Sequence, residues 1–571
     1  LISPQIIDKR HPFPFLKNKE IYAVARLESK QSVKLGIIPA SGSFSRVIFL
    51  PTPNRIRFML VEELILHYMP LVFSDYKIVC KSIMRITRNA DINMEEALYD
   101  HDVDLREVMS ELLKKRKKLS PVRMELTRKM DEASLVYLCS HLELKPKQIF
   151  RQKTPLDLSC VFTLRAKLED TDPCLFYKPA DPQNSADVDH SAPMIPQIRK
   201  RDIMLSYPYE SIKPFLRMLD EASRDPDVVS IKITLYRVAS NSKVGEALIN
   251  AAENGKDVLV LVELRARFDE ENNIGWSKRL EDAGVNVIYG LDNLKVHSKL
   301  LLITRKKGNS ISYTTQIGTG NYNERTSRLY TDITLMTADQ DIGTDASLVF
   351  AALSIGSAVE SSSSLWVAPH CLKPRVVELI DREITYGKNG YVGLKLNSLT
   401  DKDIIEKLVE ASKAGVKVEL LIRGISCLVS GIEGETENIT LVSVVGRFLE
   451  HSRIYIFGKG EREKMYISSA DFMTRNTIRR VEVAAPVYDE HVRRRIVHIF
   501  KAMISDNVKA RIMQPDSTYK HRTPKDGEKA VDSQAYFIAK AYRDLRKKQE
   551  VSAAVKEKQA KKVRPRRIGG R

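Results

Sequence analysis

The chain has 571 residues, 43% of them hydrophobic, and a formal net charge of +19. This length is too great for a single hydrophobic core and predicts three or four domains of about 100–200 residues each. No stretch approaches the roughly 18 consecutive apolar residues of a membrane-spanning helix, and the six scattered cysteines contain no CxxC pair, which argues against a zinc site or a disulfide framework.

The first predicted region covers residues 1–182. Extended patterns lie near 33–51, and stretches rich in Glu, Leu and Lys predict helix from about 94 to 144. The segment 178–193 is rich in Pro, Asp and Ser and predicts a linker or a long loop. We find no catalytic spacing in this region and expect a mixed α+β domain.

After this segment, short β-branched runs alternate with amphipathic helices. Predicted strands cover 228–237, 258–267, 285–290 and 296–303, with predicted helices at 245–255 and 273–284. Strands that are apolar almost throughout indicate a sheet covered on both faces, and hence an α/β sandwich.

The same order of elements then recurs. Predicted strands at 392–399, 416–424, 439–446 and 450–457 and a helix at 403–415 match the earlier set. We therefore predict two copies of one α/β unit, at 183–362 and 363–550. The basic tail, 551–571, has few apolar residues and is predicted to be disordered.

Each predicted copy contains one His-x-cation motif at the opening of a strand, His297-Ser-Lys299 and His451-Ser-Arg453. Alternation along a strand would place the histidine and the cation on one face. An imidazole can attack phosphorus or transfer a proton near neutral pH, and a cation offsets the charge of phosphoryl oxygens. A lone motif is weak evidence, since a histidine can simply end a strand, but two copies at matching places predict a phosphate-handling active site.

A loop of small residues and a buried acid follow each motif. The loops at 317–326 and 468–476 contain Asn321 and Asn476, whose amides could donate to phosphate. Asp332 and Glu482 each lie alone in an apolar strand and are predicted to fix the tautomer of a histidine. The sequence leaves open which acid serves which histidine.

These motifs resemble the phospholipase D superfamily and, more closely, the ATP-dependent, histidine-phosphorylating polyphosphate kinase family. The segments KVHSKLLLI, IGTGNYNERTSRLYTD and YISSADFMTRN resemble sequences of this family, and the similarity runs from residue 11 to about 545. The resemblance implies a head domain, here 1–182, followed by two duplicated catalytic domains of phospholipase D type. It also implies that a family N-terminal domain precedes this sequence, which begins without methionine.

The resemblance assigns roles to individual residues. It implies that His297 becomes phosphorylated and that His451 is a nucleotide-site residue and general acid or base. Tyr330 and Arg423 correspond to nucleotide contacts. Further positions correspond to the magnesium–phosphate region, where arginines would clamp phosphates because a guanidinium cannot ligate Mg²⁺; they are Arg237 and Arg267, with Arg265 either assisting or pairing with Glu263.

The implied reaction is reversible transfer of the γ-phosphate of ATP to inorganic polyphosphate, with Mg²⁺ as cofactor and ATP, ADP and polyphosphate as partners. A homodimer or homotetramer in the cytoplasm is implied, no nucleic acid partner is expected, and the basic tail leaves peripheral membrane association open. The main alternative is a phospholipase D-type phosphodiesterase or nuclease, although such enzymes usually carry lysine in both motifs. A non-enzymatic polyanion-binding protein would explain the charge but not the paired motifs.

Overall fold

The computed structural model describes residues 2–563 apart from Lys9, Gln31, 41–43, Asn54, 91–103 and Arg267. The chain divides into two compact units, Leu1–Lys178 and Pro179–Arg571. None of the helices in these described ranges has the length and apolar content that crossing a bilayer requires.

The first unit is built on a six-stranded sheet in the order β1-β3-β2-β6-β7-β8, with a separate β4–β5 hairpin. Its strands are β1 (Gln5–Ile7), β2 (Ile21–Glu28), β3 (Val33–Pro39), β4 (Val47–Leu50), β5 (Arg57–Leu60), β6 (Lys77–Arg88), β7 (Pro121–Leu126) and β8 (Ile149–Arg151). Its helices are α1 (Val61–Val72), α2 (Leu105–Arg116), α3 (Glu132–Leu142) and α4 (Cys160–Leu168).

The central strand β2 explains why this sheet is covered on both faces. Tyr22 and Val24 belong to one buried apolar cluster, and Ala23 and Ala25 belong to another, as alternation along a strand requires. The helical stretches predicted from about 94 to 144 include α2 and α3, while 94–103 lie outside the described residues, and the two helices are separated by β7. Its residues pair with β6 and extend the sheet, a long-range contact that local composition does not encode.

The second unit contains two sheets of matching topology. The strands of its first half are β9 (Ile203–Tyr207), β10 (Val228–Leu235), β11 (Asp257–Val262), β12 (Asn286–Ile288), β13 (Lys295–Val296), β14 (Leu300–Lys307), β15 (Ser310–Gly318) and β16 (Tyr330–Thr337). The helices of this half are α5 (Met194–Ile198), α6 (Lys213–Arg224), α7 (Lys243–Glu253), α8 (Glu270–Asp282) and α9 (Gln340–Ser354).

The strands of the second half are β17 (Trp366–Val367), β18 (Tyr391–Leu396), β19 (Lys417–Ile422), β20 (Ile439–Val444), β21 (Leu449–Glu450), β22 (Arg453–Phe457), β23 (Lys464–Ser468), β24 (Arg480–Val481), β25 (Val483–Pro486), β26 (Ala510–Met513) and β27 (Tyr519–His521). The helices of this half are α10 (Leu372–Ile384), α11 (Lys402–Lys413), α12 (Thr474–Ile478), α13 (Glu490–Ile504) and α14 (Ser533–Val563).

The predicted duplication is confirmed by the order and direction of these strands. In the first half β12-β11-β10-β14-β15-β16 are neighbours, and in the second β20-β19-β18-β22-β23-β25 are neighbours in the same sequence of parallel and antiparallel pairs. Apolar residues of both halves, such as Leu300 and Ile454, share one buried cluster. The halves therefore share a core.

Helix α11 illustrates the local causes of these elements. The Asp401 side chain accepts a hydrogen bond from the N–H of Ile404 and so caps the first turn. Ile404, Leu408 and Ala411 lie on one helical face and are buried, while the other face is polar. The helix ends before Gly415, whose φ of 88° favours glycine.

Two predictions about the ends of elements need correction. The predicted strand 258–267 ends at Val262, so Arg265 follows the strand, and Arg267 lies outside the described residues. The tail predicted to be disordered from 551 is helical as far as Val563, whereas 564–571 lie outside the described residues. Ala, Lys, Glu and Gln dominate this stretch, and they favour helix even where few apolar residues are present.

Candidate active site

The two histidines lie at breaks between strands, where each half of the second unit crosses to the other. The short strand β13 pairs in parallel with β24, and β21 pairs in parallel with β16. The N–H of His297 donates to the carbonyl of Val481 at 2.9 Å, and the N–H of His451 donates to the carbonyl of Thr331 at 3.2 Å. The prediction that each motif opens a strand is confirmed for Arg453, the first residue of β22, whereas both histidines lie outside the strands and β14 begins only at Leu300.

This crossing gives each histidine the acid of the other half. Nδ1 of His297 lies 2.9 Å from Oε2 of Glu482, and Nδ1 of His451 lies 2.9 Å from both carboxylate oxygens of Asp332. Because Nδ1–H donates to a carboxylate, Nε2 of each ring carries the lone pair. The pairing that the sequence left open is thus crossed between the halves.

Both acids are buried and held by hydroxyl groups. Ser469 Oγ donates to Oε2 of Glu482 at 2.5 Å, and Thr319 Oγ1 donates to Oδ1 of Asp332 at 2.6 Å. Burial alone would raise the pKa of each carboxyl, but the neighbouring histidine lowers the pKa below its ordinary value. Both acids are therefore carboxylates at neutral pH.

The imidazoles show the opposite effect. Burial lowers the pKa of His297 and of His451 below the ordinary value, against the attraction of their carboxylates. The side chains nevertheless keep 12% and 14% of their surface exposed. Each ring is therefore neutral at pH 7, with Nε2 available to a group that enters from solvent.

The two motif cations have different environments. Lys299 is fully buried, its Nζ donates to the carbonyl of His297, and burial lowers its pKa well below the ordinary value. Arg453 forms an ion pair with Asp471 at 2.9 Å, and its Nη1 donates to the carbonyl of Thr319 at 3.0 Å and lies 3.3 Å from Nε2 of His451. Although burial opposes it, Asp471 raises the pKa of Arg453.

The two asparagines occupy unequal positions. Asn476, the last residue of the second loop, donates to Oε1 of Glu482 at 2.8 Å and so holds this carboxylate in place. In the part of the chain that the structure describes, the buried Oδ1 atoms of Asn321 and Asn476 have no hydrogen-bond partner. Asp471 precedes Glu482 by the same number of residues as Asn321 precedes Asp332. Asp471 is therefore the residue of the second loop that matches Asn321, and it binds Arg453.

Tyr330 and Arg423 lie beside His451. The Tyr330 ring centroid is 5.3 Å from the His451 ring at an interplanar angle of 50°. Nε of Arg423 donates to the Glu450 carbonyl at 2.9 Å and to Oδ1 of Asn397 at 3.1 Å. Partial burial lowers the pKa of Arg423. The structure thus brings the residues assigned to the nucleotide together around one histidine.

The arginines assigned to the magnesium–phosphate region are only partly described. Arg237 pairs with Asp269 at 2.9 Å, and Arg265 pairs with Glu263 at 3.0 Å and donates to nearby backbone carbonyls. Arg265 is therefore a structural ion-pair partner of Glu263, and Arg267 lies outside the described residues. Within the described ranges, no group of three or more His, Cys, Asp or Glu side chains could hold a metal ion.

Two site residues were missed at the sequence level. The Tyr236 ring packs edge-on against His297, with 4.7 Å between centroids, and Nη1 of Arg480 lies 3.6 Å from Oε1 of Glu482. Arg480 and Glu482 are two positions apart and could have been placed on one face of an extended segment. Tyr236 precedes Arg237 and had no signal of its own in the sequence.

The comparisons with known proteins agree along most of the chain. Family models match residues 1–164 as "Polyphosphate kinase middle domain", 193–359 as "Polyphosphate kinase C-terminal domain 1" and 365–534 as "Polyphosphate kinase C-terminal domain 2". A polyphosphate kinase of Bacillus anthracis is 42% identical over 95% of this chain and 78% of the relative, and one of Prosthecochloris aestuarii is 38% identical over 95% and 76%. The crystal structure of a polyphosphate kinase from Porphyromonas gingivalis matches 96% of this chain and 81% of that one, with a TM-score of 0.82 and 31% identity.

Proposed function

Because the chain belongs to the polyphosphate kinase family, we propose that it transfers the γ-phosphoryl group of ATP to polyphosphate through Nε2 of His297. The observation that carries this proposal is the buried contact between Nδ1 of His297 and Glu482. It fixes the tautomer, and the resulting neutral imidazole presents a lone pair to an entering phosphorus.

In the first step, a bond forms between Nε2 of His297 and the γ-phosphorus, and the bond to the β–γ bridging oxygen breaks, so that ADP leaves. Phosphorylation makes the ring positively charged, and Glu482 offsets this charge through Nδ1–H. Lys299 and Arg480 lie beside this pair and would stabilise the negative charge of the transferring group.

In the second step, a terminal oxygen of polyphosphate attacks the phosphorus, and the bond to Nε2 breaks. His451 is neutral and oriented by Asp332, so its Nε2 suits a general base that removes a proton from the acceptor. In the reverse direction the same ring returns the proton. Because the intermediate conserves the phosphoryl potential, the same site would synthesise ATP from ADP and polyphosphate.

The substrate contacts are proposed as follows. Tyr330, Arg423 and His451 bind the nucleotide, and Asn321 and Arg237 contact phosphates, with Arg267 assigned by resemblance alone. Mg²⁺ would arrive on the phosphates of ATP and offset their charge. A cytoplasmic homodimer or homotetramer, without a nucleic acid partner, and the domain limits 1–182, 183–362 and 363–550 belong to the same proposal.

The test is incubation with γ-labelled ATP and Mg²⁺. We expect covalent label that survives base and is lost in acid in the wild type and in the control His521→Ala, which changes an exposed histidine of β27. His297→Ala should carry no label. Wild-type protein that cleaves diesters without labelling would instead be a phosphodiesterase, and retention of polyphosphate without turnover would indicate a binding protein.

A further inference from the structure

A buried glutamine joins the last helix to the strand that precedes His451. Gln534 lies in the first turn of α14 and is 3% exposed. Its Nε2 donates to Oε1 of Glu450 at 2.7 Å and to the Phe448 carbonyl at 3.0 Å, and its Oε1 accepts from the Phe448 N–H at 2.9 Å. The amide is therefore satisfied on both sides by the segment that contains β21.

Glu450 is the centre of a buried polar cluster. Its Oε2 accepts from Thr331 Oγ1 at 2.7 Å and pairs with Nζ of Lys395 at 3.1 Å. Its carbonyl accepts from Arg423 Nε at 2.9 Å, and its successor in the chain is His451. Tyr330 and Thr331 pair with Leu449 and Glu450 across β16 and β21. All three groups assigned to the nucleotide therefore depend on the position of β21.

The helix start has little freedom to adopt another position. A Cβ built on Gly446 would lie 2.6 Å from Oε1 of Gln534, so the glutamine lies directly over that glycine. The N–H and Oγ of Ser533 each donate to Oδ2 of Asp506 at 2.7 Å. Phe537 packs against Tyr209, with 5.4 Å between ring centroids. Contacts on three sides thus fix where the amide of Gln534 meets Glu450.

We propose that Gln534 is a positioning residue for the nucleotide half of the active site, acting through Glu450 on His451, Tyr330 and Arg423. Without the amide, Oε1 of Glu450 would be a buried carboxylate oxygen without its donor, and the cluster would rearrange to recover a hydrogen bond. Because Arg423 and His451 are attached to the same residue, that rearrangement would move them together. This inference rests on the nucleotide contacts of the proposed function.

The first test replaces Gln534 with methionine, which keeps the volume but removes the donor and the acceptor. Loss of a hydrogen bond to a charged group predicts an increase of about tenfold in the KM for ATP, with a much smaller change in the KM for polyphosphate. The matched control is Asp532→Ala, which removes the side chain that caps the N–H of Ala535 on the same helix but leaves Gln534 in place. We expect its two KM values to stay within twofold of wild type while its Tm falls.

The second test exchanges the two partners. Gln534→Glu places a carboxylate against Glu450 and should impair ATP binding more than Gln534→Met does. The double variant Gln534→Glu with Glu450→Gln restores a donor and an acceptor across the contact and should recover part of the loss.

Arg423→Ala serves as the reference for the proposed function. An unchanged KM for ATP in Arg423→Ala would refute the nucleotide assignment itself, whereas a raised value there with an unchanged value in Gln534→Met would refute only the role of Gln534. Equal effects of Asp532→Ala and Gln534→Met on the KM for ATP would also overturn the inference, because helix stability alone would then explain the result. Should Gln534→Met fail to fold, failure of the double variant to recover folding or ATP binding would count against the inference.

Discussion

At the scale of single residues, the site combines two nearly equivalent histidine–carboxylate pairs with different surroundings. His297 lies near the buried Lys299, whose pKa is lowered by burial, and against the ring of Tyr236. His451 lies against Arg453, whose charge is already balanced by Asp471. A neutral ring flanked by Lys299 and Arg480 suits attack on an anion, whereas a ring beside a satisfied arginine suits proton transfer and nucleotide binding. The duplicated sequence has thus acquired unequal chemistry.

The crossed acid pairs lead to a prediction that separates the two steps. Glu482→Gln removes the charge that stabilises phosphorylated His297 and should slow labelling from ATP about 30-fold, the equivalent of about 2 kcal/mol for a charge-assisted hydrogen bond. Asp332→Asn should slow discharge of the label to polyphosphate more than its formation, because Asp332 holds His451. Rapid-quench measurement of both steps checks this. The reverse assignment of slow steps would contradict the crossed pairing.

At the scale of elements, the position of the site depends on two interrupted strands. Between β13 and β14 the backbone leaves its sheet, and Thr234 Oγ1 donates to the Ser298 carbonyl at 2.9 Å while the N–H of Leu300 donates to the same hydroxyl at 3.2 Å. The N–H of Ser298 donates to Val481 of the other half at 3.0 Å. The N–H and carbonyl of Ser298 and the N–H of Leu300 are therefore paired at this break, which helps a histidine to leave the strand without unsatisfied backbone groups beside it.

Packing of α9 on the sheet in the first half of the second unit gives a prediction with a matched control. A Cβ on Gly343 in α9 would lie 2.3 Å from Cβ of Tyr313 in β15, so Gly343→Ala should lower the free energy of unfolding by about 1–3 kcal/mol. Gly275 in α8 is exposed, and no atom lies within 4 Å of a Cβ built there. Gly275→Ala should therefore raise the free energy of unfolding by about 0.5–1 kcal/mol. Denaturant unfolding of both variants measures the difference. Equal shifts would mean that α9 does not pack on β15 as described.

At the scale of the whole molecule, the net charge of +19 suits a polyanionic substrate. Exposed charges are screened within about 10 Å at 0.1 M salt, so long-range attraction weakens as salt increases. We expect the KM for long-chain polyphosphate to rise several-fold between about 0.05 and 0.5 M NaCl, because screening acts on every phosphate contact. Tripolyphosphate, which reaches fewer cations, is the control and should show a shallower dependence. Equal slopes for the two substrates would indicate that only the catalytic groups bind the chain.

The α/β class, the duplication, the two histidine motifs and their acids could be predicted from periodicity, spacing and residue chemistry. That Glu482 serves His297 and Asp332 serves His451 could be learned only from the folded molecule, since the pairing arises from strands that cross between the halves. The tertiary structure also placed Tyr236 and Arg480 at the site and joined Gln534 to Glu450. This division arises because a local pattern fixes which face of an element is buried, whereas contacts between residues far apart in sequence depend on how complete elements pack.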